Sequence, residues 1–302
     1  MLQGRCTYAH NTFVFNEHYN TNGTVDYSKI NNTVLIDQRS IDVGYRDLRD
    51  PYHLTTGGAL GRVHKNFTTI RLSGRILVPD ATQVATASDR ERAMLAAFDP
   101  ALCYRDSPST EGAYAFDFSE PTTDTATYAT GLIPLRYYAR PAARPRTTET
   151  LNDGTVRGFD VALIAADPLA YEQTEQTLVM ATSGTITSPG NVVNRGTVPA
   201  PMKATIVMSG AGHASFTITR GGVSFVLNLS GTVNNDIITV YFDTCGAYGD
   251  GKRVTKNGVS AFALKTSAPS TWLDAPVGTT SFAITNTTNI WHFTLAWRSA
   301  RA

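Results

Sequence analysis

The chain has 302 residues and a formal net charge of +1, from 26 basic and 25 acidic residues. This balance argues against a strongly basic nucleic-acid binder and against a protein with an acidic tail. Charged residues make up 17% of the chain, where about 25% is usual, and threonine and glycine take up much of the difference. The composition therefore indicates a β-rich protein, and the length is typical of two domains or of one large β domain.

The cysteines and the apolar segments limit the class of protein further. Cys6, Cys103 and Cys245 cannot all pair with one another, and none stands in a C-x-x-C arrangement. Neither a disulfide scaffold nor a structural zinc site is expected. The segment from Met1 to Asn20 lacks the apolar run of a signal peptide, and no stretch has the length of a membrane helix. We expect free thiols, a reducing cytosol and no membrane insertion.

Short apolar segments separated by turn residues predict β-strands along most of the chain. In the segment from Phe67 to Val78, Ile70 and Leu72 alternate with polar residues, which is the period of a half-buried strand. We expect this alternation to change phase at Gly74. The other predicted strands are Thr12 to Phe15, Thr33 to Asp37, Thr155 to Ala165, Met202 to Met208, His213 to Thr219, Val223 to Leu229, Asp236 to Asp243, Ala261 to Lys265, Gly278 to Asn286 and His292 to Arg298.

One segment, Ser88 to Phe98, has the pattern of a helix. Ser88 can cap its first N–H groups, and Glu91 follows three residues later, as in a capping box. An Asp-Pro pair directly after the segment ends the helix. The apolar face that should pack on the sheet consists of Met94, Leu95 and Phe98.

A proline turn after residue 166 is the predicted boundary between two domains. The apolar strand from Val161 to Ala165 stops at this turn, and a polar stretch begins behind it. The sequence predicts a first domain over residues 1–166, made of strands and a single helix. The second domain, residues 167–302, is predicted to be β throughout.

The segment 106–146 is interpreted as an extended arm. Tyr114, Phe116 and Phe118 are spaced by two and share one face of a strand. This face docks on a neighbouring subunit in one interpretation, and covers the protein's own core in the other. The stretch from residue 136 to 146 contains four arginines and no acidic residue. A solvated arm or an inter-subunit clamp is favoured over a surface that binds DNA phosphates, because affinity for DNA needs more contacts than these. The candidate interface residues are Tyr114, Phe116, Phe118, Arg136, Arg140 and Arg144.

The residues that could carry chemistry do not form a catalytic or metal-binding pattern. The six histidines are scattered without an H-E-x-x-H arrangement, and no G-x-S-x-G motif is present. The segment Gly57 to Gly61 lacks the Lys-Ser/Thr pair of a phosphate-binding loop. Neighbouring carboxylates between Asp160 and Glu175 would indicate glycoside hydrolysis only through their separation in space. We expect no catalytic residue, no metal and no cofactor.

The three tryptophans raise the alternative of a sugar-stacking platform on a β-sandwich. However, Trp291, Phe293, Leu295 and Trp297 recur at every second residue, as on the inner face of a sandwich. The pattern therefore favours a role in the core. We expect Trp291 and Trp297 to be largely buried.

An ordered set of segments in the second half resembles the distal tail protein of long-tailed bacteriophages. The set begins with Ala165-Ala-Asp-Pro-Leu-Ala-Tyr-Glu and continues with Val193 to Met202 and Ile237 to Asp243. It ends with Pro276 to Arg298. In the first half, Phe67 to Ile76 is similar to the strand that precedes the family's helix. Residues 1–60 and 106–146 lie outside the resemblance.

The resemblance implies an all-β protein in the main, with an N-terminal split β-barrel that carries one packed α-helix and a C-terminal galectin-like β-sandwich. It implies a structural protein without enzymatic activity, made in the bacterial host cytoplasm and located in the virion at the distal end of the tail. The implied assembly is a homohexameric ring around a channel through which DNA passes, without sequence-specific binding of nucleic acid. The implied partners are the tail tube protein, the tail tip or baseplate hub protein and the tape measure protein. The alternative is a carbohydrate-binding β-sandwich module that acts in host-surface adhesion.

Overall fold

The computed structural model describes residues 5–20, 24–47, 63–106, 113–151, 154–242, 251–266 and 270–302. The chain divides into two compact units, Met1–Ala170 and Tyr171–Ala302. Both units are built mainly of antiparallel strands, so the prediction of a mainly all-β protein is confirmed.

The eight strands of unit 1 form a single curled sheet, in the order β2-β1-β5-β6-β8-β4-β3, with β7 paired to β8. A further short strand, β9 (Ala170–Glu172), follows at the boundary of the two units. The strands of unit 1 are β1 (Cys6–Tyr8), β2 (Phe13–Phe15), β3 (Val34–Asp47), β4 (Val63–Leu77), β5 (Tyr114–Pro121), β6 (Leu132–Pro141), β7 (Arg146–Leu151) and β8 (Val156–Ala165).

Strand β4 shows how the sequence pattern directs side chains into the core. Ile70, Leu72 and Ile76 are buried, as is Gly74, and the odd-numbered residues between them face the other side of the sheet. The alternation continues through Gly74, so the predicted change of phase is wrong. A Cβ atom at Gly74 would collide with the carbonyl oxygen of Leu35. Glycine is needed there because of this close approach of β3, and it does not break the pattern.

The first and last strands of the sheet meet at Asn16. The main-chain N–H of Asn16 donates to the carbonyl oxygen of Val34 at 2.7 Å, and its side-chain Oδ1 accepts from the N–H of Ile36 at 2.8 Å. One asparagine thus joins the end of β2 to β3, where a full strand pairing is absent. The curled sheet closed by this residue is the split β-barrel that the resemblance implies.

Two helices pack against this barrel, α1 (Val84–Ala97) and α2 (Pro100–Asp106). Helix α1 begins four residues before the predicted start, so Ser88 is not its cap; the Ser88 hydroxyl donates to the Val84 carbonyl within the helix. Met94 and Phe98 are fully buried as predicted, but Leu95 is only half-buried. No helix in the described part of the chain is long and apolar enough to cross a membrane.

Helix α2 was not predicted from the sequence. It begins at Pro100, where the missing N–H of proline costs no hydrogen bond because first-turn donors have no partner within the helix. The Asp99 carboxylate accepts from the N–H of Ala101 at 2.9 Å and so satisfies one of these donors. The Asp-Pro pair ends α1 as expected, but it also starts a second helix.

Unit 2 is a β-sandwich of a seven-stranded and a four-stranded antiparallel sheet. The larger sheet has the order β11-β10-β20-β13-β16-β17-β18, and the smaller one has the order β12-β19-β14-β15. The strands of the larger sheet are β10 (Gln176–Thr182), β11 (Thr185–Ile186), β13 (Met202–Met208), β16 (Ile237–Tyr241), β17 (Arg253–Lys256), β18 (Val259–Ser260) and β20 (Ile290–Trp297). Those of the smaller sheet are β12 (Gly190–Asn194), β14 (Phe216–Arg220), β15 (Val223–Leu227) and β19 (Gly278–Thr285), and β21 (Ala300–Arg301) ends the chain.

Aromatic side chains from the two sheets meet in the sandwich core. The rings of Phe216 and Phe293 lie 5.8 Å apart between their centroids, and those of Phe225 and Phe242 lie 5.0 Å apart. The strand predicted over Ala261 to Lys265 is wrong. These residues form a 3-10 turn, because the N–H groups of two of them bond back to carbonyl groups three residues earlier.

Candidate functional site

The segment 106–146, interpreted above as an extended arm, belongs to the barrel where the structure describes it. Strands β5 and β6 form an antiparallel hairpin, in which Tyr114 pairs with Ala139 and Phe118 with Leu135. Strand β5 also pairs with β1, and β6 pairs with β8. The expectation of an arm is therefore corrected, because both strands have partners within the sheet of unit 1.

The three aromatic candidates of β5 face the inside of the barrel. Phe116 and Phe118 are fully buried, and the ring of Phe118 stacks on that of Tyr137 at 5.6 Å. Tyr114 is half-buried, with its ring 4.9 Å from that of His10. Two of the three side chains thus cover the protein's own core and present no surface to a neighbour.

The three arginine candidates lie outside the core, in different surroundings. Arg136 of β6 faces Asp117 of β5 and donates two hydrogen bonds to its carboxylate, at 2.6 and 2.8 Å. This carboxylate raises the pKa of Arg136. Arg140 is exposed, and Arg144 is exposed but donates to Asp99 at 2.6 Å. Both side chains lie on the surface, Arg144 with Asp99 as its partner, and the role of these arginines at an interface stays a prediction.

Four strands of unit 1 form a block with two open edges. Their order is β7-β8-β4-β3, and each neighbouring pair is antiparallel. On one side, Asn16 covers β3 only as far as Ile36. From Gln38 onwards, β4 is the only strand in the described residues that pairs with β3, and the other side of β3 is open. On the other side, β7 pairs with β8 alone among the described strands. Local sequence patterns do not reveal these edges, because they carry no information about pairing between distant strands.

A groove lies on the solvent face of the same block. It has a volume of about 910 Å³ and is bordered by β3, β4, β8 and the loop between β6 and β7. The register places Arg146, Asp160, Ser73 and Gln38 in one row across the four strands. Arg71 lies two residues from Ser73 on the same face. The solvent face of the block therefore carries positively and negatively charged side chains next to polar, uncharged ones.

A buried cluster of titratable side chains, also missed from the sequence, lies between β1 and the two helices. The sulfur atom of Cys103 is 3.4 Å from Nδ1 of His10, and Nε2 of His10 is 3.7 Å from the carboxylate of Asp106. Nδ1 of His10 also lies 2.7 Å from the carbonyl oxygen of Ala97, which is the contact of an N–H donor. In that tautomer Nδ1 has no lone pair with which to accept the thiol proton.

Burial also opposes a nucleophilic role for this cysteine. The side chain of Cys103 is 1% exposed, and desolvation raises the pKa of its thiol. A reactive cysteine needs a thiolate and access for a substrate. The cluster is therefore a structural network that ties the 3-10 turn behind β1 to both helices.

In the described ranges, no group of three or more histidine, cysteine, aspartate or glutamate side chains is placed so that it could hold a metal ion. Cys6 is a buried free thiol like Cys103, whereas Cys245 lies outside the described residues. The glycine-rich segment from Gly57 to Gly61 also lies outside them.

The tryptophans of unit 2 differ in their exposure. Trp297 is 4% exposed, as predicted, and its indole N–H donates to the carbonyl of Val193. Trp291 is 49% exposed, so its predicted burial is wrong. The pairing of β20 with β13 is irregular between Val207 and Met208. This irregularity interrupts the alternation before Phe293 and leaves Trp291 in contact with solvent.

Comparison with known proteins connects the fold to phage proteins. No protein-family profile matches the sequence, and no curated protein matches it. Among the solved structures, ten chains match. The Dit (gp 19.1) protein of phage SPP1 is 15% identical, with a TM-score of 0.54 over 88% of this chain and 93% of that chain.

A chain of the phage P2 baseplate in its activated conformation with Ca is 10% identical. The alignment covers 99% of this chain and 98% of that chain, with a TM-score of 0.43.

The SPP1 protein is described as a paradigm of the hub adsorption apparatus in phages that infect Gram-positive bacteria. The chain thus has the fold of a phage Dit protein, in agreement with the resemblance in its sequence.

Proposed function

We propose that the protein is a distal tail protein of a long-tailed phage. In this proposal six copies form a ring in the virion that joins the distal end of the tail tube to the tail tip or baseplate. DNA passes through the ring without being read. The tail tube protein, the hub protein and the tape measure protein are its partners, and its role is structural, not enzymatic. The fold shared with SPP1 Dit over 88% of the chain is the observation that carries the proposal.

The two open edges of unit 1 support the assembly of a ring. A closed ring of identical copies needs two different surfaces on each copy that fit each other. Strand β3 and strand β7 are the opposite edges of the β7-β8-β4-β3 block. Because directions alternate within the block, β3 of one copy and β7 of the next would again be antiparallel. Pairing between copies would also cover edges that otherwise promote aggregation.

The mass of the assembled protein tests this proposal. We expect native mass spectrometry and light scattering of the full chain to find a species of six copies that increases with protein concentration. A chain that stays monomeric at high concentration, and that does not join purified tail tubes, would contradict the proposal. Neither measurement requires a ligand.

Carbohydrate binding by unit 2 is a second candidate function, which the exposure of Trp291 favours. An exposed tryptophan offers a flat apolar face, and aromatic faces of this kind stack on sugar rings. The carbonyl oxygen of Trp291 accepts from the N–H of Gly184, which holds the residue beside the turn between β10 and β11. Fluorescence quenching by iodide, with and without host cell-wall saccharides, tests this function. If saccharides reduce the quenching of the wild type but not that of Trp291→Ala, the result supports carbohydrate binding. If saccharides leave the quenching of the wild type unchanged, the result contradicts it.

A further inference from the structure

The groove on the solvent face of unit 1 has the space of a binding site. Its volume of about 910 Å³ is in the range of ligand pockets in proteins. Small side chains form much of its wall, namely Ser40, Ser73, Ala143 and Ala162. Because these side chains are short, the groove leaves room directly above the backbone of three neighbouring strands.

Three charged side chains border the groove without an ion-pair partner among the described residues. They are Arg71 of β4, Arg146 of β7 and Asp160 of β8, and all three are exposed. Arg146 and Asp160 are opposite each other in the strand register, yet their charged groups are not within ion-pair distance. The groove therefore has two guanidinium groups and one carboxylate available for a partner.

The other charged groups on the rim already have partners within the chain. Asp37 accepts two hydrogen bonds from Arg75, at 2.7 and 2.8 Å. Arg144 donates to Asp99, as described above. Arg39 directs its guanidinium to the core side, 4.2 Å from the centre of the Phe118 ring. These groups shape the rim without adding a free charge to it.

We propose that this groove binds an extended acidic segment of another polypeptide. The planar guanidinium group matches the two oxygen atoms of a carboxylate, so Arg71 and Arg146 are suited to acidic side chains. Asp160 can only accept hydrogen bonds when ionised, and a polypeptide offers it N–H donors. A DNA backbone offers acceptors only, so it has no donor for the Asp160 carboxylate.

The spacing of the two arginines fits an extended chain. Arg146 and Arg71 lie two strands apart and two residues apart along the strands. With strands about 4.8 Å apart and about 3.3 Å per residue, their Cα atoms are about 12 Å apart. Four residues of an extended polypeptide span about 13 Å. Two acidic residues at positions i and i+4 of the segment would therefore reach both arginines.

This inference is independent of the proposed ring. Edge pairing of β3 with β7 takes place in the plane of the sheet, so the face that carries the groove stays open to a partner. Peptide binding and oligomeric mass are separate measurements, and either can fail without the other.

Isothermal titration calorimetry on the full chain at low salt tests the proposal. The probe is a nine-residue serine-rich peptide with two glutamates four residues apart, and its control has glutamine at both positions. We expect the acidic peptide to bind, and the control peptide to bind at least about tenfold more weakly. The double variant Arg71→Gln/Arg146→Gln should lose a similar factor. Arg92→Gln, an exposed arginine on α1, should bind like the wild type.

A second variant tests the groove without a change of charge. Ser40→Tyr should fill the groove and abolish peptide binding, while circular dichroism shows an unchanged fold. Absence of binding by the wild type at about millimolar peptide, or equal binding by the arginine and tyrosine variants, would overturn the proposal. Tighter binding of an eight-nucleotide oligothymidylate through the same arginines would also overturn it.

Discussion

The indole N–H of Trp297 donates a hydrogen bond to the main-chain carbonyl oxygen of Val193 at 3.0 Å. Trp297 belongs to the seven-stranded sheet of unit 2 and Val193 to the four-stranded sheet. One polar contact therefore joins the two layers of the sandwich at a partly buried position. The tryptophan contributes apolar area to the core, and it also gives the Val193 carbonyl group a hydrogen-bond donor.

Replacement of Trp297 by phenylalanine removes this hydrogen bond and keeps an aromatic ring. We expect the free energy of unfolding to fall by about 1 to 3 kcal/mol, because a partly buried hydrogen bond is lost and the smaller ring fills less of the buried space around Trp297. Urea denaturation measures the change. Trp291→Phe is the matched control, since Trp291 is half-exposed, and it should change the value by less than about 0.5 kcal/mol. Equal effects of the two substitutions would contradict this account.

Asn16 is expected to be the residue on which closure of the barrel depends. Asn16→Ala leaves the N–H of Ile36 without its acceptor and puts alanine at a φ of 54°. We expect a loss of about 2 to 4 kcal/mol in the free energy of unfolding. Asn16→Gly removes the same hydrogen bond without the backbone strain, so it should lose about 1 kcal/mol less. If both variants are as stable as the wild type, Asn16 does not close the barrel.

Met94 and Leu95 should respond differently to truncation, although they are neighbours on α1. Met94 is fully buried, so Met94→Ala should cost about 2 to 5 kcal/mol in the free energy of unfolding. Leu95 is half-buried, and Leu95→Ala should cost less than half as much. Thermal and urea denaturation of both variants check the order. A larger loss at Leu95 would show that α1 packs on the barrel through another face.

Asp236 should make the stability of unit 2 depend on pH. Its carboxylate lies 2.7 Å from the Lys256 ammonium group and accepts from the N–H of Val233 and the side chain of Asn257. These contacts, the lysine first, lower the pKa of Asp236. A lowered pKa in the folded state stabilises the protein above the ordinary carboxyl pKa of about 3.9. This contribution is lost as the pH falls through the folded-state value.

The test compares the wild type with Asp236→Asn. The difference in the free energy of unfolding should be largest near pH 7 and should shrink below about pH 4. Asp42→Asn, which removes an exposed carboxylate from unit 1, is the matched control. A difference between wild type and Asp236→Asn that stays constant down to about pH 2 would show that the carboxylate is not ionised in these contacts.

The sequence predicted those features that depend on alternation within one strand. Ile70 and Leu72 follow the pattern, and so do Phe293 and Leu295. Trp291 departs from it because an irregular pairing with another strand shifts the register, and such a shift has no local signal.

Long-range contacts were beyond prediction from the sequence. The residues near Asn16 do not indicate that its side chain bonds to Ile36, twenty positions later. The spacing of Phe116 and Phe118 predicted a shared apolar face. The same spacing could not distinguish a neighbouring subunit from the protein's own core, because the pattern describes a face and not the surface that covers it.

The central claim is that copies of unit 1 join edge to edge through β3 and β7, and disulfide trapping tests it most directly. In a Cys245→Ser background, one cysteine is introduced in β3 at Gln38, Ser40 or Asp42 and a second in β7 at Arg146. For the matching register we predict a non-reducing gel with a ladder of covalent species that ends at six copies. The single-cysteine controls should stop at two copies. Absence of the ladder from all three pairs, in protein whose mass is that of six copies, would contradict the edge-to-edge arrangement.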